Sequence, residues 1–231
     1  NQLVFYWRTN FPPFNWSGPF AIPGASNIGG NPALIQGTHG TRGNFELIAP
    51  AVGAGMVHLW RDNDAAGLPW RGPFPFGQGN VRAVCLLQAN YGDPGNLEVV
   101  ARVGNQLVFY WRMGRPPYTW SGPFPIPGAT SVSGVPALIQ STHGVQGNFE
   151  LVVPRASGGM YHFWRENDAP GLPWHGPFAF GTGNISAVSM FQGNFGAPGN
   201  LELVAREGNR LAFYWRSGLP PYSWNGPFYI V

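Results

Sequence analysis

Gly147-Asn148-Phe149-Glu150-Leu151-Val152-Val153 is one of four near copies of a single segment. The others are Gly43-Asn44-Phe45-Glu46-Leu47, Gly95-Asn96-Leu97-Glu98-Val99 and Gly199-Asn200-Leu201-Glu202-Leu203. Their glutamates recur every 52 residues, and Gln36, Gln88, Gln140 and Gln192 recur in the same phase. A fixed period of this length signals a solenoid, a propeller or an array.

Outward from this segment, one unit runs from Gly134 to Phe180. Val135 to Gln140 is a short apolar run with a proline near its start, where a strand tolerates one. Asn148 to Val153 is a second strand. Met160 to Arg165 is a third, dense in aromatics, and Gly176 to Phe180 a short fourth. The second and third form a hairpin, which in the neighbouring unit turns at Arg102-Val103-Gly104-Asn105. No stretch has a helical period with caps. Four strands in about 50 residues, with turns between, are the signature of a propeller blade. A β-solenoid would have shorter coils and ladder residues at its corners. The expected fold is all-β, a single β-propeller repeat domain over residues 1–231. The third and fourth strands of a half-blade occupy 1–24, and complete blades occupy 25–78, 79–128, 129–182 and 183–231.

Units alternate between two types. One carries His58-Leu59-Trp60-Arg61 or His162-Phe163-Trp164-Arg165, then Asp62-Asn63-Asp64 or Glu166-Asn167-Asp168. The other carries Phe-Tyr-Trp-Arg and a Pro-Pro loop. The full period is therefore a pair of units, and Asn1 to Arg8 is repeated identically at Asn105 to Arg112. The half-blade leaves three arrangements open. The chain is part of a longer repeat chain; another copy supplies strands in a homo-oligomer; or the N-terminal hairpin pairs with the inner strands of the last unit. Unpaired strand edges favour association.

Composition narrows the function classes. Of 231 residues, 34 are Gly and 24 Pro. They fall at fixed phases of the repeat, as turn residues do. Charged residues are 10% and the net charge is +3. The arginines are dispersed, so no nucleic-acid footprint is expected. No apolar run approaches the roughly 18 residues of a membrane helix. Cys85 is the single cysteine, so there is no intrachain disulfide. Sequence signatures of hydrolases, phosphate loops and zinc proteases are missing. Nearly every polar candidate recurs, which suits repeated binding better than catalysis, and no enzymatic activity is expected.

These motifs resemble the blades of bacterial PLL-type β-propeller lectins along the whole chain. The shared features are a Pro-Ala opening strand, a tight hairpin, an aromatic third strand and a Trp before the fourth. The resemblance implies glycan binding at repeated inter-blade sites, with fucose-type or methylated sugars as ligands.

The residues support that reading independently. A sugar offers an apolar face to an aromatic ring and a rim of hydroxyls to planar polar groups. The Trp of each Trp-Arg pair (Trp7, Trp60, Trp111, Trp164, Trp215) is expected in the core. The second set, Trp16, Trp70, Trp120, Trp174 and Trp224, opens a Trp-x-Gly-Pro-Phe motif and is the candidate sugar-facing set. Gln36, Gln88, Gln140 and Gln192 would bond either loop backbone or ligand. His39 and His143, in Thr-His-Gly loops, are candidate ligand contacts, whereas His58 and His162 read as interior residues. A glutamate in an apolar strand needs a partner. The expectation is pairing of the Glu46–Arg61 type, with Arg61 and Arg165 also candidates for a sugar rim. The short acidic loops read as solvated turns, and neither metal nor cofactor is expected. Binding of glycans favours a secreted or cell-surface-facing location. The competing reading is a structural propeller that closes or polymerises by sharing half-blades between chains.

Overall fold

The computed structural model describes residues 1–53 and 55–230, and these residues form an all-β structure without helices. A two-stranded ribbon comes first, β1 (Gln2–Arg8) with β2 (Trp16–Ser26). Four antiparallel four-stranded sheets follow, each in simple up-and-down order. Sheet I holds β3 (Ala33–Gln36), β4 (Phe45–Pro50), β5 (Met56–Arg61) and β6 (Trp70–Phe76). Sheet II holds β7 (Val81–Gln88), β8 (Leu97–Val103), β9 (Gln106–Arg112) and β10 (Trp120–Pro125). Sheet III holds β11 (Ala137–Gln140), β12 (Phe149–Pro154), β13 (Met160–Arg165) and β14 (Trp174–Phe180). Sheet IV holds β15 (Ile185–Gln192), β16 (Leu201–Glu207), β17 (Arg210–Arg216) and β18 (Trp224–Ile230).

Each of these sheets holds the four antiparallel strands expected of a unit, with strand ends displaced by a few residues. The first strand of sheet III begins at Ala137, and Val135 instead makes an isolated parallel bridge to Ala187 of sheet IV. Asn31 makes the matching bridge to Ala83 between sheets I and II. The chains approach so closely there that a methyl group on Gly30 or Gly134 would overlap a carbonyl of the next sheet. Because β17 and β18 complete sheet IV, the N-terminal ribbon does not take their place, which sets aside the third arrangement expected from the sequence.

The core lies between sheets. Leu87, Val100 and Phe109 of sheet II pack on Phe149, Leu151 and Phe163 of sheet III. Ile48 and Met56 meet Leu86, Leu97 and Tyr110 between I and II, and Val152 and Met160 meet Leu201 and Tyr214 between III and IV. Strands covered on both faces can be apolar at successive positions, and every residue of β12 is buried. That is why this segment reads as a near-continuous apolar run broken by one glutamate.

The periodic glutamines join the sheets. Gln88 Oε1 accepts from Thr38 N at 2.7 Å, Gln140 Oε1 from Asn90 N at 2.9 Å and Gln192 Oε1 from Thr142 N at 2.7 Å. Each side-chain amide donates to its own first loop, as Gln36 does to Arg42 O at 3.0 Å and Gln88 to Gly95 O at 3.2 Å. These are the loop-backbone bonds expected as one of the two roles open to the glutamines. Asp64 and Asp168 likewise brace the first loops, accepting from Thr41 N and Val145 N at 2.6 Å.

Leu151 is fully buried between sheets II and III. Leu151→Ala should lower the unfolding free energy by about 2–5 kcal/mol, whereas Gln140→Ala, which loses exposed hydrogen bonds, should lower it by about 1 kcal/mol. Urea titrations of the two variants check the ranking.

Candidate functional site

The register places the glutamate and the Trp-Arg tryptophan side by side in every sheet. The paired residues are Glu46 and Trp60, Glu98 and Trp111, Glu150 and Trp164, and Glu202 and Trp215. Side chains alternate along a strand, so His58 and His162, two residues before their Trp, join the same face. This face looks into the cleft shared with the following sheet.

The I/II and III/IV clefts are built alike. His58 Nε2 lies 2.6 Å from Glu46 Oε2, and His162 Nε2 lies 2.7 Å from Glu150 Oε2. From the first loop, His39 Nδ1 stands 3.3 Å from Glu46 Oε1 and His143 Nδ1 stands 3.4 Å from Glu150 Oε1. The arginine comes from the next sheet. Arg112 Nη2 is 4.0 Å from Glu46 and Arg216 Nη2 is 3.6 Å from Glu150. The expected Glu46–Arg61 pairing within a unit is therefore corrected. Arg61 points back toward the ribbon, over the rings of Phe45 at 4.0 Å and Phe5 at 5.1 Å.

Each of these clefts has two compartments that share a Trp, an Arg and a Tyr. In I/II, a volume of about 280 Å³ is lined by His39, Asn44, Glu46, Trp60, Arg112 and Tyr118. The adjoining one, about 630 Å³, adds His58, Phe74, Phe76 and Trp120. In III/IV the corresponding volumes are about 210 Å³ and about 500 Å³, lined by Trp164, Arg216, Tyr222 and their neighbours.

The II/III cleft differs. It encloses about 450 Å³ between Tyr91, Asn96, Glu98, Phe109, Trp111, Phe124, Arg165, Leu172 and Trp174. Tyr91 takes the place of the loop histidine. Its hydroxyl donates to Glu98 Oε1 at 3.0 Å and accepts from Arg165 Nη2. Arg165 Nε donates to Asn167 Oδ1 at 2.8 Å, and the guanidinium lies 4.0 Å over the Phe149 ring. Glu98 Oε2 is buried without a partner.

The second Trp set bridges sheets rather than standing free. Trp120 stacks on Phe76 at 4.2 Å and Trp224 on Phe180 at 4.3 Å, while Trp70 and Trp174 meet Phe5 and Phe109 edge-on. All four are half-buried, and Trp16 on the ribbon is 69% exposed. Trp60, Trp111 and Trp164, expected in the core, are also half-buried and line the clefts. Both sets therefore offer ring surface. Among the described residues, no group of three or more acidic, His or Cys side chains is placed to hold a metal ion.

Arg112 and Arg216 were not singled out by sequence reading, although the signal is present. In sheets I and III the residue two after the arginine is Asn63 or Asn167, which takes its Nε. In sheets II and IV it is Gly114 or Gly218, packed tightly against the carbonyl of Gly95 or Gly199. A glycine offers no side-chain acceptor, so the Nε of Arg112 and of Arg216 has no partner.

Neither a protein-family model nor a curated protein matches the chain. Solved structures do. The BP39L lectin from Burkholderia pseudomallei aligns with TM-score 0.66 and 20% identity, over 94% of this chain and 60% of that one. AofleA from Arthrobotrys oligospora aligns with TM-score 0.66 and 9% identity, over 99% and 65%. Aleuria aurantia lectin in complex with Fucα1-6GlcNAc aligns with TM-score 0.61 and 14% identity, over 100% and 71%. A leech intramolecular trans-sialidase aligns with TM-score 0.59 and 13% identity, over 90% and 35%. At these identities the likeness is one of fold, that of the β-propeller. The chain spans 60% of the length of the Burkholderia lectin.

Burial pushes the Glu98 carboxyl up to about 7, against the opposing pull of Arg165. Its folded-state value exceeds its unfolded value, so its contribution to stability is full below about pH 4.5 and is lost as pH rises through about 7. His58 and His162 are held below 6.5, mainly by burial, so they destabilise the fold as pH falls below that value. Glu98→Gln should remove the first effect and leave the second. Urea midpoints at about pH 5 and about pH 8 should show the variant gaining on wild type as pH rises.

Proposed function

We propose that this protein is a lectin-like β-propeller that binds carbohydrate at repeated clefts between its blades. The observation that carries the reading is the II/III cleft. One open volume there joins aromatic surface from Trp111, Trp174 and Phe124 to a buried carboxylate with a free oxygen and a guanidinium beside it. The rings suit the C–H face of a sugar, and Glu98 suits its hydroxyl donors. The neighbouring clefts repeat ring and arginine on the same plan, so weak sites would add through avidity on clustered glycans.

The ligand class we favour is a neutral, fucose-type or methylated sugar, in keeping with the PLL-type resemblance and with the lectins that share the fold. A secreted or cell-surface-facing location goes with that role. The four sheets and the ribbon are read as four blades and half of another. A catalytic reading finds less support: the residues lining the I/II and III/IV clefts recur as equivalent sets, with no unique constellation in either.

Calorimetry and a glycan array test this proposal. Methyl fucoside should bind in the millimolar range or tighter. Glu98→Gln or Trp111→Ala should weaken the II/III site at least about tenfold, which is about 1.4 kcal/mol. Binding should tighten as pH rises through about 7, where Glu98 ionises. A folded sample that bound no glycan would refute the proposal.

A further inference from the structure

Arg112 and Arg216 are 7% and 8% exposed, yet neither guanidinium donates a hydrogen bond to any described residue. The Nε atom of each is buried without a partner. Their nearest carboxylate oxygens are 4.0 Å and 3.6 Å away, beyond hydrogen-bond reach. An Nε–H taken out of water and left unused is costly, and a buried unsatisfied group calls for an explanation. The same vacancy occurs twice, at equivalent positions of the two pair-units, while Arg61 and Arg165 spend their Nε on asparagine. The Nη groups are not sealed in this way, and each arginine lines its cleft, so a ligand there that brings an acceptor takes the donors left over.

The surroundings restrict the acceptor. A hydroxyl would accept from the arginine but would also need a home for its own proton. In the III/IV cleft Glu150 has little to offer, because Oε2 is held by His162 at 2.7 Å and Oε1 lies within 3.4 Å of both Ser141 Oγ and His143 Nδ1. In the I/II cleft Gly37 stands in place of Ser141, Oε2 of Glu46 is held by His58 at 2.6 Å and His39 Nδ1 stands 3.3 Å from Oε1. Asn148 Oδ1 already accepts from Asn167 N. A carboxylate would bring a second negative charge beside Glu150, which its histidine and arginine neighbours hold ionised, at about 2, against the pull of burial. A neutral carbonyl accepts without donating and adds no charge. The wall beside each arginine is apolar, made by Phe74, Phe76 and Trp120 in one cleft and Phe178, Phe180 and Trp224 in the other. In the III/IV cleft Trp224 Nε1 is a second buried donor without a partner.

Resting on the carbohydrate reading, we propose that the I/II and III/IV clefts are two copies of a site for an N-acetylated sugar. The acetamido carbonyl accepts from Arg112 or Arg216, and its methyl group packs on the aromatic wall. The chain then carries two chemistries in alternation. The II/III cleft presents a free acceptor in Glu98, and its neighbours present free donors. Tyr118 and Tyr222, whose rings lie 5.1 Å and 5.3 Å from the guanidiniums, close the outer side of the two donor clefts.

Calorimetry on the full chain tests this with N-acetylglucosamine and N-acetylgalactosamine against glucose and galactose, with methyl fucoside alongside. The N-acetylated sugars should bind at about two sites per chain, and at least tenfold tighter than the parent hexoses. The double variant Arg112→Met, Arg216→Met should lose that binding and keep the fucoside site at Glu98. Should it fold poorly, Tyr118→Ala with Tyr222→Ala serves instead, since both side chains are 45% exposed, and it should weaken only the N-acetylated sugars. Binding of N-acetylated sugars that survives both double variants overturns the proposal. So does fucoside binding with no preference for N-acetylation, although the carbohydrate reading then stands. Failure of every sugar overturns both.

Discussion

A glutamate on a strand covered on both faces has to find partners, a histidine or tyrosine of its own sheet and an arginine of the next. That requirement organises the molecule. Glu46 meets Arg112, Glu98 meets Arg165 and Glu150 meets Arg216, each arginine arriving from the third strand of the following sheet. A carboxylate with no counter-charge or donor would be too costly to bury. The fourth copy shows the same dependence from the other side. No further sheet among the described residues covers Glu202, and it is only half-buried.

The clefts lie at these inter-sheet contacts. The guanidinium and the neighbouring carboxylate line each gap together, and Trp60, Trp111 and Trp164 form a wall of it. What varies is how each glutamate is occupied. In two clefts a pair of histidines stands against its two oxygens, and the arginine Nε has no partner. In the third, Tyr91 bridges Glu98 and Arg165 and leaves a carboxylate oxygen idle. The alternation of unit types is therefore an alternation of hydrogen-bonding polarity on a constant frame.

The glutamines and acidic loops perform a quieter task. By tying the first loop of one sheet to the first strand of the next, Gln88, Gln140 and Gln192 hold the loops that carry His39, Tyr91 and His143 over the clefts. Asp64 and Asp168 brace the first loops that carry the two histidines from within their own sheets. Unlike the equally periodic glutamates and arginines, which line the clefts, these residues hold the loops in place.

The all-β class, the four-strand unit, the hairpins and the two unit types were legible from the chain alone, because strand periodicity and turn residues act locally. The interior place of His58 and His162 was legible too, from their setting among apolar neighbours. Which arginine meets which glutamate was not. Arg61 and Arg112 stand in the same Trp-Arg motif and are chemically identical, and only the order of stacked sheets sends Arg112 to Glu46. Nor could sequence alone tell that Trp60, Trp111 and Trp164 line clefts, since a half-buried ring and a core ring occupy the same position on a strand. Local pattern determined the blades; the packing of one blade on the next decided which polar groups are spent and which remain free to bind.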